Sequence, residues 1–139
     1  MRILLFGTFD GLHPGHRFLL DEAQKRGGDV TVVVARDSNV KKIKGHLPEN
    51  YEVERQKALK KAFPFFEVLL GDEQDFLFPV RLIQPDLILL GYDQKLPPGV
   101  KQEDLHCKVE RLPPFEPHKY KSSLFRSKGK EIKTGGKNM

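Results

Sequence analysis

The opening of the chain constrains its fold more than any other stretch. An apolar run from Ile3 to Phe6 is followed at once by "GTFDGLHPGH", residues 7 to 16, with three glycines and two histidines in ten positions. The apolar run reads as a short buried strand. "PGHRFLLDEAQKRGG" reads as a helix with Phe18, Leu19 and Ala23 on its inner side, stopped at Gly27 and Gly28. The decamer is therefore a strand-to-helix crossing. Pro14 suits the first helical position, because its φ is already helical and its missing N–H would have no partner there, so His13 becomes the cap. His16 then falls in the first turn, and the amides of Gly15, His16 and Arg17 are predicted to point free from the helix end. Free amides and the positive end of the helix dipole make an anion site, and bare glycine lets a bulky anion approach the backbone. Phosphate is the expected ligand.

Further along, "DVTVVVARD" is a β-branched run suited to a strand buried on both faces, ending at Arg36 and Asp37. "SNVKKIKGHLPEN" is polar and lysine-rich and reads as a loop. "YEVERQKALKKAF" reads as a helix with Val53, Leu59 and Ala62 among its charges, broken at Pro64. "FEVLLG" is a third strand and "EQDFLFPVRLIQ" a helix in which Pro79 predicts a kink or a late start. "PDLILLGYDQ" supplies a fourth strand from Leu87 to Leu90, opening at Gly91 into a polar turn. A short helix and a fifth strand, "CKVERL", end at Pro113 and Pro114, and "KSSLFRSK" opens with serines suited to capping one or two helical turns.

Alternating strands and helices predict an α/β chain: a Rossmann-like, doubly wound parallel five-stranded sheet with helices on both faces and the first strand central. At 139 residues there is room for one such domain, expected over residues 1–128, with a flexible basic tail at 129–139. Ligands of such sheets bind beyond the carboxyl ends of the strands. "GTFDGLHPGH", "RDSNVKKIKG", "GYDQ" and "HKYKSS" should therefore converge on one crevice.

The formal charge of +5 is not spread evenly. From Lys119 onward the net is +6, which leaves −1 for residues 1–118. The body is neutral, and Gly129, Gly135 and Gly136 with few apolar neighbours mark a solubilising tail rather than a nucleic-acid surface, which wants aromatics interleaved for base stacking. No apolar run is long enough to span a bilayer and the start lacks a secretory pattern, so a cytoplasmic protein without membrane partners is expected. Cys107 is the one cysteine, so no disulfide forms within the chain.

Two phosphate motifs fail here. The glycines at Gly7, Gly11 and Gly15 do not fit G-x-G-x-x-G, and no Lys-Ser or Lys-Thr follows to make G-x-x-x-x-G-K-[ST]. What remains, H-x-G-H after G-x-F-D, resembles the nucleotidyltransferase superfamily, whose H-x-G-H helix start holds the phosphates of ATP or CTP. The resemblance implies direct attack by an acceptor phosphate on the α-phosphorus. His13 and His16 would donate to phosphate oxygens, with Thr8, Phe9, Pro14 and Gly15 along the nucleotide. "VKKIKG" resembles the family's mobile lysine loop, which selects Lys44 over Lys41 and Lys42. Arg55 matches an arginine of the following helix, with a surface salt bridge as the other reading. "KSSLFR" resembles the closing serine helix start, with Ser122 and Ser123 on phosphate and Arg126 reaching the β- and γ-phosphates. A divalent cation, most simply Mg²⁺, would be carried by the phosphates rather than by protein ligands. A zinc site from His13, His16, His106 and Cys107 is the competing metal reading.

"VVVARDSNVKKIKG", "ILLGYDQ" and "YKSS" together are similar to the archaeal-type FAD synthases, which transfer AMP from ATP to FMN, over residues 2 to 126. That resemblance implies ATP and FMN as partners, a homodimer, and nucleotide contacts from Asp93 and Tyr120. Relatives that make CDP-alcohols usually carry a different turn after the fourth strand, often with a tryptophan, and this chain has none. A cytidylyltransferase acting on glycerol 3-phosphate or a similar phosphoalcohol, phosphopantetheine adenylyl transfer and a non-catalytic nucleotide-binding module remain as alternatives. Phe63, Phe65 and Phe66 are candidates for a dimer interface or for core.

Overall fold

The computed structural model describes residues 1–97 and 99–114. The expected serine-led helix and basic tail fall outside them, as do Tyr120, Ser122, Ser123 and Arg126. In chain order the elements are β1 (Arg2–Gly7), α1 (Pro14–Lys25), β2 (Asp29–Val34), α2 (Asp37–Lys44), α3 (Glu52–Ala62), β3 (Glu67–Leu70), α4 (Phe78–Ile83), β4 (Leu87–Leu90), a 3-10 turn (Gln102–Asp104) and β5 (Lys108–Arg111). The five strands are all parallel in the order β3-β2-β1-β4-β5, so the first strand is central as expected.

Alternation along the strands splits the core between two faces, because successive side chains of a strand point to opposite sides. Ile3 and Leu5 of β1, Val30, Val32 and Val34 of β2, and Leu87 and Leu89 of β4 pack with Leu19, Leu20 and Ala23 of α1 and Leu59 of α3. Leu4, Val33, Ile88 and Leu90 face the other way, onto Val80 of α4 and Leu105. β2 and β4 are buried on both sides, which explains their unbroken apolar runs.

Three details differ from the sequence reading, and two open alternatives are decided. Residues 37–44 form a helix rather than a loop: Asn39 and Val40 are buried on one side, and Gly45 at φ 83° closes it with its N–H on the Lys41 carbonyl. Asp37 in the first turn and Lys41, Lys42 and Lys44 in the last complement the helix dipole, so the lysine run that suggested a loop in fact favours a helix end. In α1 it is Leu20, not Phe18, that joins Leu19 and Ala23 in full burial. Val53 faces solvent, because α3 packs on the sheet through Arg55 and Leu59. Phe63 and Phe66 stack in the core, which leaves Phe65 alone exposed, at 92%. Pro79 marks a late start, since α4 begins at Phe78.

Candidate active site

The β1–α1 crossing sits at the carboxyl end of the central strand. His13 caps α1 through its ring: Nδ1 accepts from the amides of Gly15 at 3.1 Å and His16 at 3.3 Å. The expectation of free amides there is thereby corrected. Two of the three are held by the His13 ring and the Arg17 amide bonds the His13 carbonyl, so a phosphate takes these donors only if the ring turns away. The His13 and His16 rings stack with centroids 3.5 Å apart, and His16 Nδ1 lies 3.3 Å from the Gly11 carbonyl. A carbonyl can only accept, so the His16 proton is on Nδ1, whereas the accepting Nδ1 of His13 places that proton on Nε2.

Both imidazoles resist protonation. Burial lowers the His16 pKa to about 4, with the neighbouring His13 and, further down, Lys44 adding to the effect. Burial lowers His13 as well. Beneath the pair, Phe9 adopts φ 53°, a backbone conformation rare for an aromatic residue, and its buried ring meets His16 edge-on at 5.4 Å. The ring lies over Gly7, where a Cβ would come within 2.6 Å of Phe9 Cε2. A side chain at this last residue of β1 would therefore press on the ring. Phe9 thus supports the histidines with its ring, while the residue also lines the cavity.

Arg55 is not a surface residue, as one reading had it. Its side chain is fully buried and spends all three guanidinium nitrogens on the loops around the site: Nη1 donates to the Thr8 carbonyl at 2.8 Å, Nη2 to Asp37 Oδ1 at 2.6 Å and Nε to the Asn50 carbonyl at 2.9 Å. Asp37 and Glu52 close the link from α2 to α3, each accepting the other's amide. Asp10 accepts from the amides of Glu49 and Asn50 and from the Asn50 side chain. Burial raises its pKa, but these hydrogen bonds outweigh that and hold it below the usual carboxylate range. The sequence reading did not assign Asp10; the aspartate of G-x-F-D, followed forty residues later by polar "PEN", was its only signal.

These elements border a cavity of about 1230 Å³ along the carboxyl edge of the sheet. Thr8, Phe9, His13, Pro14, Gly15 and His16 line it, as do Lys44 and Asp93 from the loops on either side. Lys41 and Lys42 do not, which supports the choice of Lys44 within the basic run. Three of the four strand-end motifs thus converge, and the fourth lies outside the described residues. Gln94 fixes the "GYDQ" turn, accepting from the Gly91 amide at 3.1 Å and donating to the Phe6 carbonyl at 2.6 Å. Arg111 adds a bond to the Gly91 carbonyl. The zinc reading fails on topology: Cys107 precedes β5, at the amino edge of a parallel sheet, while the histidines stand at the carboxyl edge. Among the described residues no three His, Cys, Asp or Glu side chains gather as metal ligands. None of their helices is long and apolar enough to cross a membrane.

Comparison with known proteins agrees with this geometry. The family described as cytidylyltransferase-like matches residues 4–127. The FAD synthase of Archaeoglobus profundus is 40% identical over 129 residues, covering 88% of this chain and 81% of its own. That of Methanosphaerula palustris is 44% identical over 108 residues, covering 77% of this chain and 69% of its own. Among solved structures, the lipopolysaccharide core biosynthesis protein of Thermoplasma volcanium GSS1 matches with a TM-score of 0.74 at 33% identity, over 84% of this chain and 98% of that one. A parallel five-stranded sheet with a histidine-capped helix at its centre, matched over nearly the whole chain, makes this protein a member of the cytidylyltransferase-like family.

Proposed function

We infer that the protein is an FMN adenylyltransferase, moving AMP from ATP onto FMN to give FAD and pyrophosphate. The observation that carries this reading is the identity of about two residues in five with FAD synthases, over a chain whose own cavity brings His13, His16, Lys44 and Asp93 together.

A phosphate oxygen of FMN attacks the α-phosphorus of ATP in line. The bond from that phosphorus to the bridging oxygen breaks, and its electron pair leaves with pyrophosphate. Such a transfer asks the protein for positioning and for stabilisation of spreading negative charge. His13, protonated on Nε2, donates to phosphate as a neutral ring. His16 has its proton committed toward Gly11, so it donates from Nε2 only as an imidazolium. The triphosphate supplies the negative charge that raises the lowered His16 pKa and lets the ring take up that proton. Lys44, at the end of α2, neutralises the phosphates from the other side, with Thr8, Phe9, Pro14 and Gly15 forming the cradle and Asp93 reading the base. Tyr120 joins Asp93 at the nucleotide, Ser122, Ser123 and Arg126 complete the triphosphate contacts, and residues 129–139 serve as a solubilising tail. A divalent cation, most simply Mg²⁺, would be carried by the phosphates and would offset their charge, since the described residues gather no cluster of three His, Cys, Asp or Glu side chains to hold one. ATP-fed flavin chemistry fits a cytoplasmic protein, and light scattering reads the expected homodimer.

The test is a matrix of ATP and CTP against FMN, glycerol 3-phosphate, ethanolamine phosphate and phosphopantetheine, read by pyrophosphate release and product chromatography. FAD from ATP and FMN is expected. Product from CTP and glycerol 3-phosphate alone would refute the reading.

A further inference from the structure

The cavity exceeds the several hundred cubic ångströms of a pocket for one small ligand, and it runs past the β1–α1 loop on both sides. On the β4 side the wall is mixed, with exposed Tyr92, Asp93 and Lys95 beside Leu96 and Pro97. On the β2 and β3 side it is apolar: Val40 and Ile43 from α2, and Phe76 and Pro79 at the start of α4. Asn39, Val40, Ile43 and Lys44 share one face of α2 at helical spacing, so the lysine at the histidines and the apolar wall belong to one surface.

Within that apolar wall sits one buried amide. Asn39 is 4% exposed and its Nδ2 donates to the Asp72 carbonyl at 3.3 Å. Among the described residues nothing donates to its Oδ1, and its second N–H likewise has no acceptor. Buried polar atoms are nearly always satisfied, so an amide left half-used on a cavity wall points to a ligand. Ile43 adds a second sign, since it stands 56% exposed beside that lobe.

We propose that the lobe between α2 and the start of α4 is the acceptor subsite, holding the flavin ring with Asn39 reading its pyrimidine edge and Phe76 and Ile43 covering its flat apolar faces. The proposal rests on the adenylyltransferase reading, and assigns the two lobes to the two substrates. An isoalloxazine edge presents carbonyl, N–H, carbonyl in sequence. Asn39 Oδ1 accepts from that N–H while the free Nδ2 hydrogen donates to an adjoining carbonyl, which satisfies all of the amide. The dimethylbenzene end suits the apolar wall, and the ribityl phosphate then leads toward Lys44 and the histidines.

The experiment is equilibrium titration of FMN by its own fluorescence, and of ATP by calorimetry, in the full chain and in Asn39→Leu, Phe76→Ala and Ile43→Ser. Riboflavin, which carries ring and ribityl chain without phosphate, serves as a second probe. Asn39→Leu should weaken both flavins about tenfold, Phe76→Ala about tenfold and Ile43→Ser about fivefold, with ATP affinity within about twofold. If Asn39→Leu fails to fold by circular dichroism, the two other variants carry the test, since Ile43 is already exposed and Phe76 is half-buried. Unchanged FMN affinity in folded variants, or loss of ATP binding in place of FMN, overturns the subsite. Wild-type FAD formation alongside unchanged variants overturns only the subsite. Riboflavin binding that these variants weaken, in a protein that makes no FAD, overturns only the activity reading.

Discussion

Arg55→Met removes the hub that ties three segments around the site, and the structure gives the size of the effect. The guanidinium is fully buried, with two backbone carbonyls and one carboxylate as partners. Breaking a buried ion pair from one side typically costs about 3 to 5 kcal/mol, because the remaining charge stays unpaired. Here the Asp37 side chain keeps 22% of its exposure, so water recovers part of that loss and about 3 kcal/mol is expected. For a chain of this size that corresponds to a fall in Tm of about 10 °C. Arg55→Lys should recover less than half, since an ammonium cannot fork to acceptors on three sides. Adding Asp37→Asn to Arg55→Met should restore about 1 kcal/mol or more by removing the stranded charge. The assay is urea unfolding followed by circular dichroism on wild type, both single variants and the double variant. A loss under about 1 kcal/mol for Arg55→Met, or strict additivity in the cycle, would refute the hub. Because the same residue holds the Thr8 carbonyl and the start of α2, kcat should fall along with stability.

His16→Ala should lower kcat by about a hundredfold while the KM for ATP moves little, as for a donor aimed at charge that develops in the transition state; an unchanged kcat removes it from that role. Gly7→Ala should cost about 1 to 3 kcal/mol in urea unfolding and disturb turnover as well, since the new methyl would press on the ring that supports His16, and a neutral result would show that Phe9 gives way freely. His16 is bound neutral in the fold with its pKa lowered to about 4, so the unfolded chain binds more protons between that value and the ordinary histidine value near 6.5. Stability should therefore be full above pH 6.5 and fall as pH drops toward 4; unfolding at pH 7 and pH 5 measures the slope, which His16→Gln should reduce.

What could be read from the sequence was whatever covalent neighbours decide. Pro14 after His13 and Gly7 after an apolar run specify a capped helix following a strand, and the structure keeps each of those positions. The strand order followed because an alternating chain with right-handed crossovers has few ways to place its first strand. From the residues alone Arg55 was legible only as a charge on a helix, and the family resemblance added a matching arginine but none of its partners. Its partners lie five, eighteen and forty-seven residues away, and no local pattern marks an arginine whose fork is filled by distant carbonyls.

The reading of residues 38–50 as a loop missed α2 for a physical reason. Helical periodicity is detected when a helix buries an apolar stripe against its own protein. α2 buries little that way: Val40 and an asparagine are its only buried residues, and Ile43 lies open beside the cavity. Val40 and Ile43 are the only apolar side chains in its eight residues, so the helix looks polar in sequence. By the same reasoning the lysines that obscured the helix explain its place. Lys44 can serve a triphosphate only from a rigid element near the histidines, and a helix end that favours cations provides one. Tying the other end of that helix to Thr8 through Asp37 and Arg55 then keeps Lys44 and the β1–α1 crossing in fixed relation, as the proposed phosphoryl transfer requires.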